Sequence, residues 1–305
     1  MSYSGERGTS IVGMTWIRRV AWIVAAVAAL IVASGVFLAE SQMRLQRRGP
    51  SPAPWPVEEV QITAEDGVVL RGWYREAPAA NGKAVLLLHG IQDSRAGMTG
   101  VAEMFFRHGY NVLLPDLRGH GASGGLVTYG VREAEDIRGW TDWLRTRVRN
   151  GCLYGYGASL GAAELLESLR LAPGFCAVVA EAPFSDFREA AYDRLGRTGI
   201  SKPLWLLSLD TALLYTRFRF GIDLAAVSPR IAVANSRTPV LLIHGTEDMN
   251  LRVEHSRRIL AANRATTWLR EVPGADHFDV RQKAQPPWEE DVIRFLEAHS
   301  RANPL

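Results

Sequence analysis

Gly157-Ala158-Ser159-Leu160-Gly161 is the stretch whose reading decides the fold. The apolar run Cys152-Leu153-Tyr154-Gly155-Tyr156 leads into it, and residues 162–171 follow with Leu165, Leu166 and Leu169 on one helical face. A strand, a G-x-S-x-G pentapeptide and a helix in that order predict a nucleophile elbow. The turn is so tight that the serine backbone is strained and its neighbours must be small. Gly157 and Gly161 stand two residues before and after Ser159, where a side chain would strike the adjoining strand or helix. The helix N-terminus behind the serine favours developing negative charge. Taken alone, the pentapeptide also reads as a glycine-rich turn with a capping serine.

Outward from the elbow, strand-like and helix-like segments alternate from Lys83 onward, which predicts an α/β fold: a mostly parallel central sheet with helices on both faces. Strands are expected at 84–88, 111–114, 153–156, 177–180, 240–243 and 267–272, and helices at 97–108, 132–148, 160–171, 253–262 and 288–299. Residues 84–88 are apolar throughout, as suits a strand covered on both sides. Residues 60–63 and 68–74, around Ala64-Glu65-Asp66-Gly67, read as an antiparallel hairpin. In such sheets the ligand site forms beyond the carboxyl ends of the strands. The loops there hold His89-Gly90-Ile91, residues 116–121, the serine elbow, Glu181-Ala182-Pro183, residues 244–248 and residues 274–277.

Five motifs in this order resemble the α/β-hydrolase superfamily over residues 57–299. They are His89-Gly90, the PDLRGHGAS of 115–123, the GYGASLG of 155–161, the PVLLIHGTED of 239–248 and the DHF of 276–278. Within that superfamily the chain looks like the membrane-anchored serine hydrolases of the Bem46/ABHD13 type, which also pair an N-terminal membrane segment with a small insertion. The resemblance implies the α/β-hydrolase fold and the chain order serine, acid, histidine. Ser159, Asp248 and His277 satisfy it. Asp248 is expected to orient His277, and His277 to take the proton of Ser159 and return it to the leaving group. The backbone N–H groups of Ile91 and Leu160 are the expected oxyanion hole. Glu247 and Glu181 are the rival acids, since some superfamily members place the acid on the earlier strand. Asp276 and Asp279 read as surface or capping residues. His89 and His244 read as loop-shaping, His120 as structural, and His108, His255 and His299 as surface or boundary residues on helices. Asp116 and Arg118 read as a salt-bridged loop scaffold.

Composition narrows the partners. The 305 residues carry 47% hydrophobic side chains and a net charge of only +3. Basic residues are scattered with no interleaved aromatic platform, so no nucleic-acid partner is expected. No cofactor is expected, because HExxH, GxxxxGK[ST] and paired carboxylates at useful spacing are missing; the two cysteines lack zinc spacing, so no metal is expected either. Cys152 and Cys176 read as two buried free thiols opening adjacent strands, where a bond would meet poor geometry; a domain outside the cytoplasm leaves that bond open.

Residues 20–39 carry no charge, and at about 1.5 Å per residue such a run spans the roughly 30 Å hydrocarbon core. An uncleaved transmembrane helix is expected, since a signal peptide has a shorter apolar region. Residues 1–19 then form a tail, 40–56 a Pro-rich linker and 57–305 the hydrolase domain. Arg7, Arg18 and Arg19 on one flank tie with Arg44, Arg47 and Arg48 on the other. Arg18-Arg19 abuts the run, so the reading leans to a single-pass protein with its domain outside the cytoplasm. Removing residues 1–48 is expected to leave catalysis intact. Residues 184–237 are too long a connection to be idle and read as an insertion whose first part is a small helical cap over the serine. With the anchor, its Leu, Trp, Tyr and Phe side chains point to a lipid-like or acyl-ester small-molecule substrate, ordinary helix packing being the alternative that sequence alone does not separate from it. Its arginines (Arg188, Arg194, Arg197, Arg217 and Arg219) read as contacts for an anionic head group or as solvated. The expected reaction is ester or thioester hydrolysis through an acyl-enzyme. A peptidase, an acyltransferase and a non-catalytic tethered binding protein are the alternatives; the oligomeric state is not legible.

Overall fold

The computed structural model describes residues 9–44, 49, 51–78, 81–148, 151–195, 202–284 and 288–300. Arg7, Arg47, Arg48 and Arg197, used above, lie outside them. In chain order the elements are α1 (Thr9–Met43), β1 (Glu58–Thr63), β2 (Val69–Arg75), β3 (Ala84–Leu88), α2 (Thr99–Arg107), β4 (Asn111–Pro115), α3 (Glu133–Arg147) and β5 (Leu153–Ala158). There follow α4 (Leu160–Ser168), β6 (Ala177–Glu181), α5 (Phe187–Leu195), α6 (Lys202–Phe220), α7 (Pro229–Ala234), β7 (Val240–Gly245), α8 (Glu254–Ala262), β8 (Thr267–Val272), α9 (Val280–Lys283) and α10 (Trp288–Ala298).

The strands form one sheet in the order β1-β2-β4-β3-β5-β6-β7-β8. The hairpin pairs antiparallel, β2 pairs antiparallel with β4, and the remaining neighbours are parallel, as the sequence predicts. Alternate side chains of each central strand enter opposite cores. Val85 and Leu87 of β3, Val179 of β6 and Ile243 of β7 pack with Phe105 of α2 and Val292 and Leu296 of α10. Leu86, Leu88, Val178 and Leu242 pack with Trp140 of α3, Leu165 of α4 and Ile259 of α8. Both faces being covered explains why these strands read as unbroken apolar runs. A third cluster lies beyond the carboxyl edge and joins Leu160 and Ala163 of α4 to Leu209 and Leu213 of α6, with Met43 of α1 among them.

Cys152 and Cys176 correct the sequence reading: they form a disulfide. They sit one residue ahead of β5 and β6, where the Cα atoms are 5.6 Å apart, within the range a disulfide needs. Cys176 N–H still donates to Leu153 O at 2.8 Å, so the bond closes at the very start of the ladder, where the two Cα atoms stand close enough.

Residues Thr15–Met43 of α1 are long and apolar enough to cross a membrane. The helix runs past Ala39 to Met43, into the segment read as linker. Residues 15–30 are exposed, whereas Gly35, Ala39 and Met43 are buried against the rest of the chain. Removing residues 1–48, expected above to leave catalysis intact, would also remove this packing.

Candidate active site

Ser159 sits between the end of β5 and the start of α4 with φ 54° and ψ −113°. Such backbone costs a non-glycine residue about 1–3 kcal/mol and persists only where its surroundings impose it. The surroundings are tight: a Cβ on Gly157 would lie 2.5 Å from Gly161 O, and one on Gly161 would lie 2.5 Å from His89 O. Ser159 N–H donates to Glu181 O of the neighbouring strand at 2.8 Å. Helix, loop and sheet thus hold the serine from three sides, and its hydroxyl projects beyond the strand ends.

The loops after β7 and β8 bring the other two residues to it. His277 Nε2 is 2.9 Å from Ser159 Oγ. His277 Nδ1 is 2.5 Å from Asp248 Oδ2. When Nδ1–H donates to the carboxylate, Nε2 is left to accept from the serine O–H. Asp276 and Asp279 act as caps, as read: Asp276 Oδ1 accepts from the N–H of Phe278 and Asp279, and Asp279 Oδ1 accepts from Asp276 N–H. Of the rival acids, Glu247 is exposed. Glu181 accepts from Tyr156 Oη at 2.5 Å and from Arg281 Nε at 3.0 Å, away from the imidazole.

Asp248 is 3% exposed and its Oδ1 accepts from the N–H groups of Asn250 and Leu251, each at 2.8 Å. Burial alone would raise its pKa. Hydrogen bonds from His244 and His277 and from Leu251 N–H outweigh burial and hold the group ionised well below the usual carboxylate range. His244 does more than shape a loop. It is fully buried, its Nε2 donates to Leu251 O at 2.8 Å, and that nitrogen stands 3.3 Å from Asp248 Oδ2. Its Nδ1 accepts from Ser256 Oγ at 2.7 Å. The available signal was position, four residues before the acid, but only the folded loop turns the ring toward the carboxylate.

The 89–91 loop runs beside the nucleophile: a Cβ on Gly90 would lie 3.5 Å from Ser159 Cβ. His89 Nδ1–H donates to Gly90 O at 2.8 Å, and Nε2 accepts from Leu117 N–H at 3.0 Å. Burial, with His120 close by, lowers the His89 pKa to about 3, so the ring is neutral and can fill both roles. Gly90 C=O and Ile91 N–H belong to one trans peptide and point opposite ways. Fixing the carbonyl therefore fixes the direction of the Ile91 N–H. Leu160 supplies the first N–H of α4 directly after the serine.

The 116–121 loop is the expected scaffold. Arg118 pairs with Asp136 at 2.6 Å and Asp66 at 2.7 Å, and Asp116 accepts from the N–H groups of Arg95 and Ala122. His120 is buried and its Nδ1 bonds Arg118 O at 3.0 Å. His108 pairs with Glu289 at the surface, and half-buried His299 lies against Trp268 and Phe295. His255 departs from its reading as a surface or boundary residue: it is fully buried, and its Nδ1 accepts from Ser185 N–H at 3.2 Å and lies 2.9 Å from Ser185 Oγ. Helical periodicity places it on α8 but does not say that this face meets the start of the cap.

Residues 79–208 match the family described as serine aminopeptidase, S33. An uncharacterized Bacillus subtilis protein, YqkD, is 28% identical over 240 residues, covering 77% of this chain and 78% of its own. The polyketide transferase ATR5 of Stachybotrys chlorohalonatus is 30% identical over 166 residues, 49% of this chain and 56% of its own. The structure of the Pyrococcus furiosus esterase Pf2001 superposes with a TM-score of 0.66 at 27% identity, over 83% of this chain and 98% of the esterase. The chain belongs to the α/β-hydrolase superfamily.

In this α/β hydrolase a cavity of about 300 Å³ opens at Ser159. Its lining is mostly apolar and comes from three sources: Ile91 and Leu160 beside the serine, Phe187 and Leu213 of the cap, and Ala39 and Met43 of α1. Among the described cap arginines Arg194 lines it; Arg188 pairs with Asp210 and Arg217 with Asp223. Tyr129, another wall residue, stacks on Phe187 and donates through its O–H to Gln42 of α1.

Proposed function

We propose that the protein is a membrane-anchored serine hydrolase that cleaves carboxylic esters or thioesters of acyl or lipid-like substrates. Ser159 is the nucleophile, His277 the base and then the acid, and Asp248 the orienting carboxylate. The observation that carries this is the continuous set of contacts from Ser159 Oγ through His277 to Asp248, at a strained elbow facing an apolar cavity. Ser159 Oγ attacks the acyl carbon while His277 Nε2 takes its proton. The oxyanion is met by the N–H groups of Leu160 and Ile91, each worth about 3–4 kcal/mol in the transition state. His277 returns the proton to the leaving alcohol or thiol, and water repeats the sequence to release the acid.

The esterase relative and the small apolar cavity support ester over peptide substrates. The polyketide transferase relative favours acyl transfer as the second reading, in which an alcohol replaces water in the last step. We read residues 57–305 as the catalytic domain. Burial of Ala39 and Met43 against the cap supports a helix that is retained, since a cleaved leader would take part of the packing with it. The Cys152–Cys176 bond supports a domain outside the cytoplasm, where disulfides persist. The test is a fluorophosphonate probe on the full chain. Labelling should map to Ser159 and vanish, with hydrolysis of aryl esters, in Ser159→Ala. Wild-type ester turnover in that variant would sink the assignment.

A further inference from the structure

The last three turns of α1 pack into the cap. Ser34 Oγ is 2.7 Å from Ser208 Oγ, and Tyr215 O–H donates to Glu40 at 2.8 Å. A Cβ on Gly35 would lie 2.7 Å from Thr211 Cβ and 2.8 Å from Ser208 O, so the two helices approach as closely as small-residue membrane helices do. Residue numbers rise together along these contacts, so α1 and α6 run parallel.

That register sets the depth of α6. Arg18 and Arg19 bound the charge-free run, so roughly 20 spanning residues begin near Val20 and end near Ala39. The contacts at Ser34 and Gly35 fall inside this window, roughly 8 Å from its end at about 1.5 Å per residue. The middle of α6 therefore lies at the boundary of the bilayer. Its exposed face carries an apolar stripe, Leu204, Leu207, Leu214 and Phe218, of which Phe218 is 80% exposed. Asp210, which this register places just inside the end of the window, is paired with Arg188. The same turns line the cavity at Ser159: Leu38, Ala39 and Met43 from α1, and Leu209, Ala212 and Leu213 from α6.

We propose that the ends of α1 and α6 form an acyl-binding site filled from the bilayer, which admits one acyl chain of a membrane lipid from the adjoining leaflet. α1 is then a wall of the substrate site as well as an anchor, and Leu38 and Ala39 help to set chain length. The proposal rests on the serine-hydrolase reading for the bond that is cleaved, but occupancy by the chain does not require cleavage.

The test uses full-length Ser159→Ala protein in phosphatidylcholine vesicles doped with a phosphatidylcholine whose acyl chain carries a diazirine. After irradiation and digestion, crosslinks should map to residues 38–43 and 209–216, and should be lost when Ala39→Phe is added. Crosslinks confined to residues 15–30, the lipid-exposed half of α1, overturn the proposal. With Ser159 intact, Ala39→Phe should lower the octanoyl-to-acetyl ratio of kcat/KM by about tenfold or more, the scale of excluding methylenes from an apolar pocket. Leu38→Ala, which adds no bulk, should move the optimum to longer chains; an unchanged ratio in both variants counts against the wall. Crosslinks at 38–43 in a protein that hydrolyses no ester keep the acyl site and remove the hydrolase reading. Ester hydrolysis with neither crosslinks there nor a changed ratio does the reverse.

Discussion

A serine hydroxyl is a weak nucleophile until a base accepts its proton, and in the proposed mechanism His277 does so only in the tautomer and orientation that Asp248 imposes. Asp248→Asn should leave the fold intact and lower kcat by about 10⁴, measured on a soluble aryl ester; a mild loss would turn attention to another acid. The buried histidines give a second prediction at this scale. Burial lowers the pKa of His89 to about 3, and burial together with nearby Arg258 lowers that of His255 to about 4. Both lie below the ordinary value of about 6.5, so the unfolded chain takes up protons first and stability falls as pH drops below that value. Each can contribute up to about 1.4 kcal/mol per pH unit. Tm should therefore fall between pH 7 and pH 5, and His255→Gln should flatten the slope. Asp248 adds nothing to this window: its depressed pKa gives stability that is present above the ordinary carboxylate value and lost only at lower pH. Ser159 and His277 were legible because their motifs carry them, whereas the contact of His244 with Asp248 depends on how residues 245–251 fold back.

Elements are decided by what lies against them. The parallel strands were readable because burial on both faces demands unbroken apolar runs, and the elbow because its glycines have no substitute. Gly157→Ala would push a methyl to 2.5 Å from Gly161 O. Overpacking of this kind costs about 1–3 kcal/mol, and chemical denaturation should show at least that loss together with loss of probe labelling at Ser159. Gly35→Leu should act at the other contact. By forcing α1 from α6 it should lower Tm and reduce turnover of long-chain esters more than of short ones. Within residues 20–39 nothing in the local sequence separates the exposed part of α1 from the part that packs on the cap, because both are apolar and helical. Only the register with α6 distinguishes them.

At the scale of the whole molecule, one disulfide closes a loop within the domain and one long helix precedes it. Alkylation and mass spectrometry under nonreducing conditions should find Cys152 and Cys176 joined. Replacing both with serine should cost about 3 kcal/mol in the chain-entropy account of a loop this size, read from denaturant unfolding; recovery of both as free thiols would remove the argument for an oxidising compartment. By itself the sequence determined the order of the strands and helices, the elbow, and the serine, acid and histidine in their chain order, because each is written in local periodicity or in a motif. Tertiary structure alone decided that two cysteines meet, that His244 stands against the acid, and that the N-terminal helix walls the cavity. Those facts join residues far apart in the chain, and no local pattern encodes the distance between them.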